Sequence, residues 1–456
     1  MNNMLSIKSI VINKLFGTIN HQIEFNKEDD ITILLGQNGI GKTAILRLLN
    51  MLFNHQLTNL TNIPFQNAVI SFYEGKELHI SVSKGDPDSV QDYELSNGEF
   101  LEGITCGLIA ERVKDTLREI RGYTSANYRN DEDVWIDRNT GECLTSEELV
   151  WECQKKHPGW LVETKDIYPM WLYEIIEGMH VNFIHTQRLQ TLAATIVPGK
   201  VVNRSSLEYQ STLKLISKEM RDRLTQIQQE YGQKASELDE SYPYRLVDNL
   251  EDLVFTKSEL TSLRDSLDEL EDRRERLRAA GLLNKTNWQS KTLSTNTRSP
   301  YVLKAISLYI NDAKEKFSVF DEELERIELF RNLINERFFQ KNVVIDPTEG
   351  ICIESTETGF DIPLEKLSSG EQHLLVLYYD MIFRYKRGTL VLVDEPEISL
   401  HVSWQKRFVS EMKKIMKVNG LKAIIATHSP TLIGRYWGLT RELDRNIEDT
   451  ENGAEE

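Results

Sequence analysis

Four short, mainly apolar stretches lie along the chain, and each is followed directly by glycine or by a polar residue. They are residues 30–35 (DITILL), 181–184 (VNFI), 390–393 (LVLV) and 421–426 (LKAIIA). Runs of this length without polar alternation are typical of strands that are buried on both faces of a parallel sheet. Residues 43–53 follow the first stretch and carry Leu46, Leu49 and Phe53 at helical spacing. The pattern predicts an α/β fold in which a helix follows the first buried strand.

The middle of the chain, residues 205–340, has the apolar spacing of helices. Steps of three and four join Leu260, Leu263, Leu267, Leu270 and Leu277, with the polar Arg274 in one slot between the last two. The same steps continue without a break through Leu303, Ile306, Ile310, Ala313, Phe317, Phe320, Leu324 and Ile327. This spacing favours a coiled-coil seam, and one stripe of a globular bundle is the alternative, since phenylalanine is bulky at seam positions. About 35 residues of helix span only about 50 Å. We therefore expect a short stalk or dimer surface.

Residues 76–180 show little periodicity and contain turn-rich segments typical of hairpins and loops. Four tryptophans lie in their second half: Trp135, Trp151, Trp160 and Trp171. We interpret them as core anchors of a small α+β elaboration, because tryptophan is mostly buried in folded proteins. A partner-binding surface is the alternative, since tryptophan is also enriched at interface anchors.

Composition limits the classes of protein and partner. The chain has 456 residues, 40% of them hydrophobic, and a net charge of −17, which argues against a generally basic surface for nucleic acid. No stretch approaches the roughly 20 apolar residues of a membrane helix, and the first residues do not resemble a signal peptide. Cys106, Cys143, Cys153 and Cys352 are far apart, so we expect reduced, structural cysteines. These features predict a soluble cytoplasmic protein without membrane contacts, ending in a disordered acidic tail, residues 441–456.

A glycine-rich turn joins the first buried strand to its helix. Gly36, Gly41, Lys42 and Thr43 match the pattern G-x-x-x-x-G-K-[ST] in the strand-turn-helix context that this pattern requires. Backbone N–H groups in such a turn curl around an anion, and the helix N-terminus adds partial positive charge. Lys42 would reach the β- and γ-phosphates, and Thr43 would bind Mg²⁺. The predicted contacts to ATP are Gln37, Asn38, Gly39, Ile40, Gly41, Lys42, Thr43 and Ala44.

Two acids follow the apolar stretch at 390–393. A buried parallel strand would deliver Asp394 to the edge of the sheet, as a ligand of Mg²⁺ or of its water. Glu395 would then orient and deprotonate the attacking water. A strand end with solvated acids is the simpler interpretation, but the phosphate-binding turn favours the catalytic one.

The segment LSSGEQ, residues 367–372, opens a second helical stretch. Ser368, Ser369, Gly370 and Glu371 offer hydroxyl groups, free amides and a helix N-terminus, which is again an anion-binding arrangement. One nucleotide does not need two cradles from one chain, so this second corner suggests contact with the nucleotide of another copy. His428, after the stretch at 421–426, is placed to contact a γ-phosphate.

In this order, GxxxxGKT, LSSGEQ, LVLVDE and ATHSP resemble the Walker A, signature, Walker B and switch-histidine motifs of ABC-type ATPases of the SMC, RecF and OLD group. The resemblance covers roughly residues 1–75 and 345–440. It implies an α/β ABC-ATPase head with a central mixed sheet, interrupted by a helical insertion. It also implies a head dimer around two ATP molecules with Mg²⁺. Gln187 lies where this family has a metal-contacting glutamine, and a contact from the neighbouring Arg188 to phosphate is the alternative.

These motifs divide the chain into expected domains. The divisions are an N-terminal ABC lobe (1–204, with the elaboration at about 76–180), a helical insertion (205–340), a C-terminal ABC lobe (341–440) and the acidic tail (441–456). Few residues follow His428, so we expect no TOPRIM nuclease domain of the OLD type in this chain.

The sequence that flanks the motifs is similar to that of a bacterial subgroup of stand-alone OLD-like ATPases. This subgroup includes the ATPase subunits of the PARIS and Septu anti-phage systems. That resemblance implies a homo-oligomeric ATPase scaffold, a separate TOPRIM-type nuclease effector and a phage-encoded trigger protein. A DNA-repair or DNA-clamping ATPase of the RecF or SMC type is the alternative. A third possibility is a protein that binds ATP without hydrolysing it.

Overall fold

The computed structural model describes residues 5–83, 92–97, 103–131, 134–138, 143–156, 167–184, 190–194, 207–248, 257–284, 299–399 and 401–443. The strands are β1 (Ile7–Leu15), β2 (Ile19–Glu24), β3 (Ile31–Leu35), β4 (Asn67–Phe72), β5 (Glu77–Val82), β6 (Tyr93–Ser96), β7 (Ile104–Thr105), β8 (Tyr128–Asp131), β9 (Val134–Asp137), β10 (Cys143–Thr145), β11 (Val181–Ile184), β12 (Gln190–Ala194), β13 (Leu207–Ser211), β14 (Lys341–Asp346), β15 (Gly350–Ser355), β16 (Leu390–Asp394), β17 (Lys422–Thr427) and β18 (Thr440–Glu442). The helices are α1 (Lys42–Phe53), α2 (Cys106–Glu119), α3 (Arg121–Asn127), α4 (Ser146–Lys156), α5 (Met170–Glu177), α6 (Thr212–Asp248), α7 (Lys257–Ala279), α8 (Pro300–Ser318), α9 (Asp321–Asn335), α10 (Ser369–Tyr379), α11 (Val402–Asn419) and α12 (Pro430–Ile433).

The chain forms two compact units. One combines Met1–Ser211 with Arg384–Glu456, and the other is Thr212–Phe383. This division differs from the expected boundary at residue 340, because the hairpin β14–β15 packs on α6 and α9, and α10 packs on the same two helices. The LSSGEQ segment therefore belongs to the helical unit.

The first unit contains a five-stranded parallel sheet in the order β11-β16-β17-β3-β18. Four of its strands are those predicted from the apolar stretches, and those predictions are confirmed. The helix α1 packs against β11, β16 and β17, as its apolar spacing predicts. Leu46, Leu49 and Leu52 of this helix are fully buried, so α1 is held firmly against the sheet.

A second, antiparallel sheet of six strands has the order β2-β1-β4-β5-β6-β7. The α/β fold class with a helical insertion is confirmed, and the structure divides the parallel and antiparallel strands between two sheets rather than one mixed sheet. The elaboration at 76–180 contributes strands to the antiparallel sheet and adds the small sheet β10-β9-β8 with neighbouring helices. Trp135 and Trp171 pack against buried apolar clusters, and Trp160 lies outside the described residues.

The second unit consists of α6 to α10 and the hairpin β14–β15. In it, α8 packs against α6 and α7, while α9 packs against β14. The predicted seam is not one unbroken helix, since it turns at Val319 and Phe320 between α8 and α9. Its residues face the interior of the unit, with Phe317, Phe320 and Ile327 buried. Packing of this kind matches the bundle alternative.

The segment after β17 is ordered further than expected. Residues 440–442 form β18, which pairs in parallel with β3, and Leu443 is buried. The predicted disorder therefore does not begin at residue 441, because this segment completes an edge of the parallel sheet; residues 444–456 lie outside the described part. None of the four cysteines, all of which lie in the described residues, forms a disulfide. None of the described helices combines the length and the apolar character needed to cross a membrane.

Candidate functional site

The candidate site lies at one edge of the parallel sheet, where the carboxyl ends of β3, β16 and β17 meet. Because these strands are parallel, the residues that follow them share that edge. β3 leads into the glycine-rich turn, β16 ends at Asp394, and β17 is followed by His428. Segments that are distant along the chain thus supply one site, as the motif order predicts.

The glycine-rich turn has a backbone that side chains would not tolerate. Gly41 has φ 98°, and a Cβ atom added there would lie 2.4 Å from Cδ2 of Leu15. His21 supports the turn from beneath, since its Nε2 donates to the carbonyl of Ile40 at 2.7 Å. Burial lowers the pKa of His21, so the ring is held as a neutral donor. No motif in the sequence indicates this support; the one available signal is the alternation along β2, which places His21 on the inward face.

Lys42 is almost fully buried at the start of α1, with 4% of its surface exposed. Its Nζ donates to the carbonyl of Gly36 at 2.8 Å and to that of Gln37 at 3.0 Å. The ammonium group is thus held inside the curve of the turn. The first turn of α1 carries no acidic residue, so nothing there opposes an anion at the helix N-terminus. The buried ammonium group and the helix N-terminus without acidic residues are suited to bind a phosphate group.

Thr43 and Asp394 are in direct contact. The Thr43 hydroxyl is 3.0 Å from each carboxylate oxygen of Asp394. Burial raises the pKa of Asp394, although the Thr43 hydrogen bond opposes the shift. A nearby cation would stabilise the ionised form of this carboxylate. Hydroxyl and carboxylate oxygens are the ligands that Mg²⁺ prefers, so this pair fits a magnesium ion.

Glu395 has a left-handed backbone with φ 42°, which costs a non-glycine residue roughly 1–2 kcal/mol. Its N–H donates to the carbonyl of Ala426 at 2.9 Å, so this contact to β17 fixes the turn. Oε1 of Glu395 lies 3.9 Å from Nδ1 of His428. The two predicted catalytic side chains are therefore brought together. Strained backbone of this kind is common at functional sites.

Glu397 is a buried residue of the site that sequence analysis missed. Its Oε1 accepts the hydroxyl of Thr427 at 2.6 Å and the N–H of His428 at 3.0 Å. The same oxygen lies 3.2 Å from Nδ1 of the His428 ring. Its other oxygen, Oε2, is buried and has no hydrogen-bond partner among the described residues. Glu397 therefore positions the histidine; the signal that could have revealed it is its place two residues after Glu395.

Replacing Glu397 by glutamine should lower the turnover number for ATP about tenfold while leaving the affinity for ATP nearly unchanged. Glutamine keeps the size and one acceptor oxygen but removes the charge beside the imidazole. Steady-state ATPase assays and titration with a fluorescent ATP analogue measure the two effects. The control is Glu147→Gln, another buried carboxylate, which accepts hydrogen bonds from Leu57 and Thr58. Equal turnover in both variants would show that Glu397 is only structural.

A cleft of about 570 Å³ opens beside the turn. It is lined by Leu35, Gly36, Gln37, Asn38, Ile40, His428, Glu442 and Leu443. The two C-terminal residues of this set come from β18 and the residue after it, in the segment expected to be disordered. Ala44 and Ile40 are buried, so their backbone groups rather than their side chains are placed to contact a ligand.

The LSSGEQ corner in the second unit begins α10. Ser368 caps this helix by accepting from the N–H of Glu371, and the Glu371 carboxylate accepts from the N–H of Ser368. Lys341 donates to both oxygens of Glu371, at 2.8 Å and 3.0 Å. Burial would raise the pKa of Glu371, but these hydrogen bonds outweigh it and the pKa is lowered. The buried Glu371 therefore supports the corner from within, while Ser368 and Ser369 are exposed.

Two predicted residues cannot be placed. Gln187, the expected metal contact, and Arg188, its alternative, both lie outside the described residues. The strand before them, β11, pairs in parallel with β16. Within the described ranges, no group of three His, Cys, Asp or Glu side chains is arranged to hold a metal ion.

The α/β fold and the glycine-rich turn of this site fit an ATPase domain. Comparison with known families agrees, since the profile of the AAA ATPase domain matches residues 6–433. The chain belongs to the AAA ATPase domain family.

Solved structures of Smc heads are among those similar to this chain. The Smc head domain of Pyrococcus furiosus, with an extended coiled coil and bound to the C-terminal domain of ScpA, is 15% identical, with 97% of this chain and 94% of that chain covered and a TM-score of 0.39. An Smc head bound to the C-terminal winged-helix domain of ScpA is 13% identical, with 94% and 91% covered and a TM-score of 0.34.

Proposed function

We propose that this protein binds and hydrolyses ATP, and that two copies close around the nucleotide. The observation that carries the proposal is the meeting of Lys42, Thr43, Asp394, Glu395 and His428 at one edge of the parallel sheet. This set supplies a phosphate ligand, oxygen ligands for a cation, and a carboxylate beside an imidazole. Those are the groups that phosphoryl transfer to water requires.

Each residue has a distinct role in this proposal. Lys42 and the backbone amides of the turn hold the β- and γ-phosphates, and Thr43 and Asp394 hold Mg²⁺. The metal ion neutralises charge on the phosphates when it is bound. Glu395 orients a water molecule and accepts its proton, since its carboxylate lies at the edge of the site with 26% of its side chain exposed. His428, held by Glu397, contacts the γ-phosphate.

The exposed corner at Ser368 and Ser369 supports closure with a second copy. Its capping box and the ion pair between Lys341 and Glu371 keep the start of α10 rigid. An 11-residue helix with exposed hydroxyl groups at its N-terminus can accept the phosphates of a partner's nucleotide. We propose that each ATP lies between the turn of one copy and this corner of the other.

Replacing Ser369 by arginine should abolish dimer formation that depends on ATP. The large cation would fill the space in which the partner's nucleotide must lie. Analytical ultracentrifugation with Mg²⁺ and ATP, on a Glu395→Gln background that slows hydrolysis, measures the effect. The matched control is Ser318→Arg, an exposed serine at the end of α8 in the same unit. Persistence of the ATP-dependent dimer in the Ser369 variant would contradict the shared site.

We further propose that the protein acts in bacterial anti-phage defence, as a scaffold that controls a separate TOPRIM-type nuclease and responds to a phage protein. The support is the resemblance around its motifs to AriA of the PARIS system, and next to PtuA of Septu. Native mass measurement of the complex purified from its host, with and without ATP, tests this role. A co-purifying nuclease released by a phage protein is the expected result; a complex that contains only this chain would oppose it.

The alternative, a DNA-clamping ATPase, needs a basic surface that attracts phosphate backbones. One strongly basic stretch of the described residues is the end of α7. Its arginines are paired with carboxylates, namely Arg273 with Asp321, Arg274 and Arg278 with Glu271, and Arg276 with Glu328. Pairing of this kind leaves little net positive charge for DNA. The defence role is therefore the better supported of the two.

A further inference from the structure

A second cleft, of about 520 Å³, lies in the first unit away from the nucleotide site. It is lined by Asn50, Phe53, Asn54, His55, Gln56, Leu144, Glu148, Trp151, Glu152, Lys155, Ile176, Glu177, Met179, His180, Val181, Asn182, Phe183, Arg384, Lys386 and Thr389. Its position follows from the fold, because it includes the end of α1 and the residues just before β11 and β16. The turn at the start of α1 is 12 helical residues away, or about 18 Å along the helix.

The centre of this cleft is an aromatic stack with unusual backbone. His55 is 6% exposed and has a left-handed backbone with φ 53°. Its ring stacks on the indole of Trp151, with 3.9 Å between ring centroids and 21° between ring planes. Nε2 of the ring lies 3.4 Å from Oε1 of Glu177, and this hydrogen bond lowers the pKa of Glu177. The imidazole is therefore fixed from two sides.

Two polar nitrogens of this stack are left without partners. Nδ1 of His55 and Nε1 of Trp151 are both buried and make no hydrogen bond within the described residues. The indole nitrogen can only donate. Leaving such groups unpaired costs about 1–3 kcal/mol each, and native structures rarely keep them without a reason. Two of them on neighbouring rings in the lining of one cleft indicate a site that a ligand completes.

The charged residues that line the cleft indicate the charge of the ligand it would bind. Its acids already have partners, since Glu148 accepts from Gln56 at 2.7 Å, Glu152 lies 3.7 Å from Lys156, and Glu177 contacts His55. Lys386, by contrast, is exposed and has no carboxylate partner among the described residues. Lys155 is also exposed, with its Nζ 5.5 Å from the centre of the Trp151 ring. Nδ1 of His55 is an acceptor in the neutral ring, because Nε2 donates to Glu177. The other available groups are the indole N–H and two cations, which favour an anionic ligand.

An apolar surface continues from the cleft along α5. Tyr173 packs on Trp151 with 5.5 Å between ring centroids and is 41% exposed, and Met170, one turn earlier, is 64% exposed. These residues and Glu177 share one face of α5, at spacings of three and four. A small anion would leave this apolar surface uncovered. A peptide with acidic and apolar side chains would cover both parts.

We propose that this cleft binds an acidic peptide segment of another protein, with a carboxylate near Trp151, Lys155 and Lys386 and an apolar side chain against Tyr173 and Met170. The proposal does not depend on ATP hydrolysis, because none of its residues belongs to the nucleotide site. It assigns the tryptophan-rich elaboration a recognition role in addition to its packing role.

An array of dodecapeptides tests the charge preference. Acidic, neutral and basic sets share the same apolar residues and are probed with the full chain, and the strongest acidic peptide is then titrated by fluorescence anisotropy. We expect binding to the acidic set only, weakened by salt. Equal binding to the three sets, or preference for the basic set, would overturn the proposal. Displacement of the peptide by inorganic phosphate would reveal an anion site instead, and would also overturn it.

Substitutions in the cleft test its location. Trp151→Phe keeps an aromatic ring but removes the indole N–H, and should raise the Kd for the peptide about fivefold. Lys155→Glu combined with Lys386→Glu should raise it roughly tenfold or more. Lys414→Glu, an exposed lysine on α11, is the control. Melting temperatures show whether the Trp151→Phe protein still folds. If it does not, the variant with both lysines replaced decides the test, because Lys155 and Lys386 are exposed. An unchanged Kd in the double variant would contradict the assignment.

Discussion

Glu395→Gln protein should hydrolyse ATP about 100-fold more slowly than the unaltered chain, or slower still, because it loses its general base. Glutamine has nearly the same shape as glutamate but cannot accept a proton from water. The backbone contact from Glu395 to Ala426 does not involve the side chain, so the fold of the site should persist. Affinity for ATP should remain within about threefold, since the phosphate and metal ligands are untouched.

Single-turnover assays and direct ATP titration separate these two effects. Glu24→Gln, an exposed carboxylate on β2, is the control and should hydrolyse ATP at the normal rate. Unchanged hydrolysis by the Glu395 variant would remove the proposed role of this residue. If the unaltered chain itself shows no turnover but binds ATP tightly, the interpretation as a purely structural ATP-binding protein is correct.

Lys42→Ala protein should bind ATP about 100-fold more weakly, because it loses a charged hydrogen-bond donor to the phosphates that is worth about 3 kcal/mol. The loss is larger than for a surface lysine because Lys42 is buried and points into the turn. The same substitution also frees the carbonyls of Gly36 and Gln37, which Lys42 now holds. A less ordered turn would add to the loss of affinity.

Isothermal titration calorimetry with Mg²⁺ and ATP measures this change. Lys422→Ala is a matched control, since Nζ of Lys422 also donates to a backbone carbonyl, that of Lys27 at 2.9 Å. It lies at the opposite end of β17 from His428, so ATP affinity should not change there. If both variants lost a similar affinity for ATP, the effect at Lys42 would come from its lost hydrogen bonds to backbone carbonyls. It would then not come from a lost contact with phosphate.

Much of the nucleotide site could be predicted from sequence because its parts are local. Gly36, Gly41, Lys42 and Thr43 are close together in the chain, and their pattern requires one backbone geometry. Asp394 was also predictable, since a buried strand followed by an acid has only one edge at which to present it. In the structure the Thr43 hydroxyl contacts the Asp394 carboxylate. Their roles with ATP and Mg²⁺ stay predictions.

The remaining features depend on packing between distant segments. Glu397 belongs to the site because it accepts hydrogen bonds from Thr427 and His428. No spacing in the sequence predicts these contacts. The placement of the Ser368 corner in the helical unit depends on how the hairpin β14–β15 packs on α6 and α9. Acidic composition suggested disorder after residue 440, but pairing with β3 outweighs that tendency for three residues. In each case tertiary contacts outweigh the local pattern.

The strand β18 has a consequence for how the chain can be trimmed. It covers one side of β3, and Leu443 closes over Gly36, with its carbonyl oxygen 3.1 Å from where a Cβ atom would stand. A protein that ended before residue 440 would lack β18 and would expose the hydrogen-bonding edge of β3, and such an edge is a template for aggregation. Residues 440–443, which the acidic composition makes look dispensable, thus protect the edge of the sheet that carries the nucleotide turn.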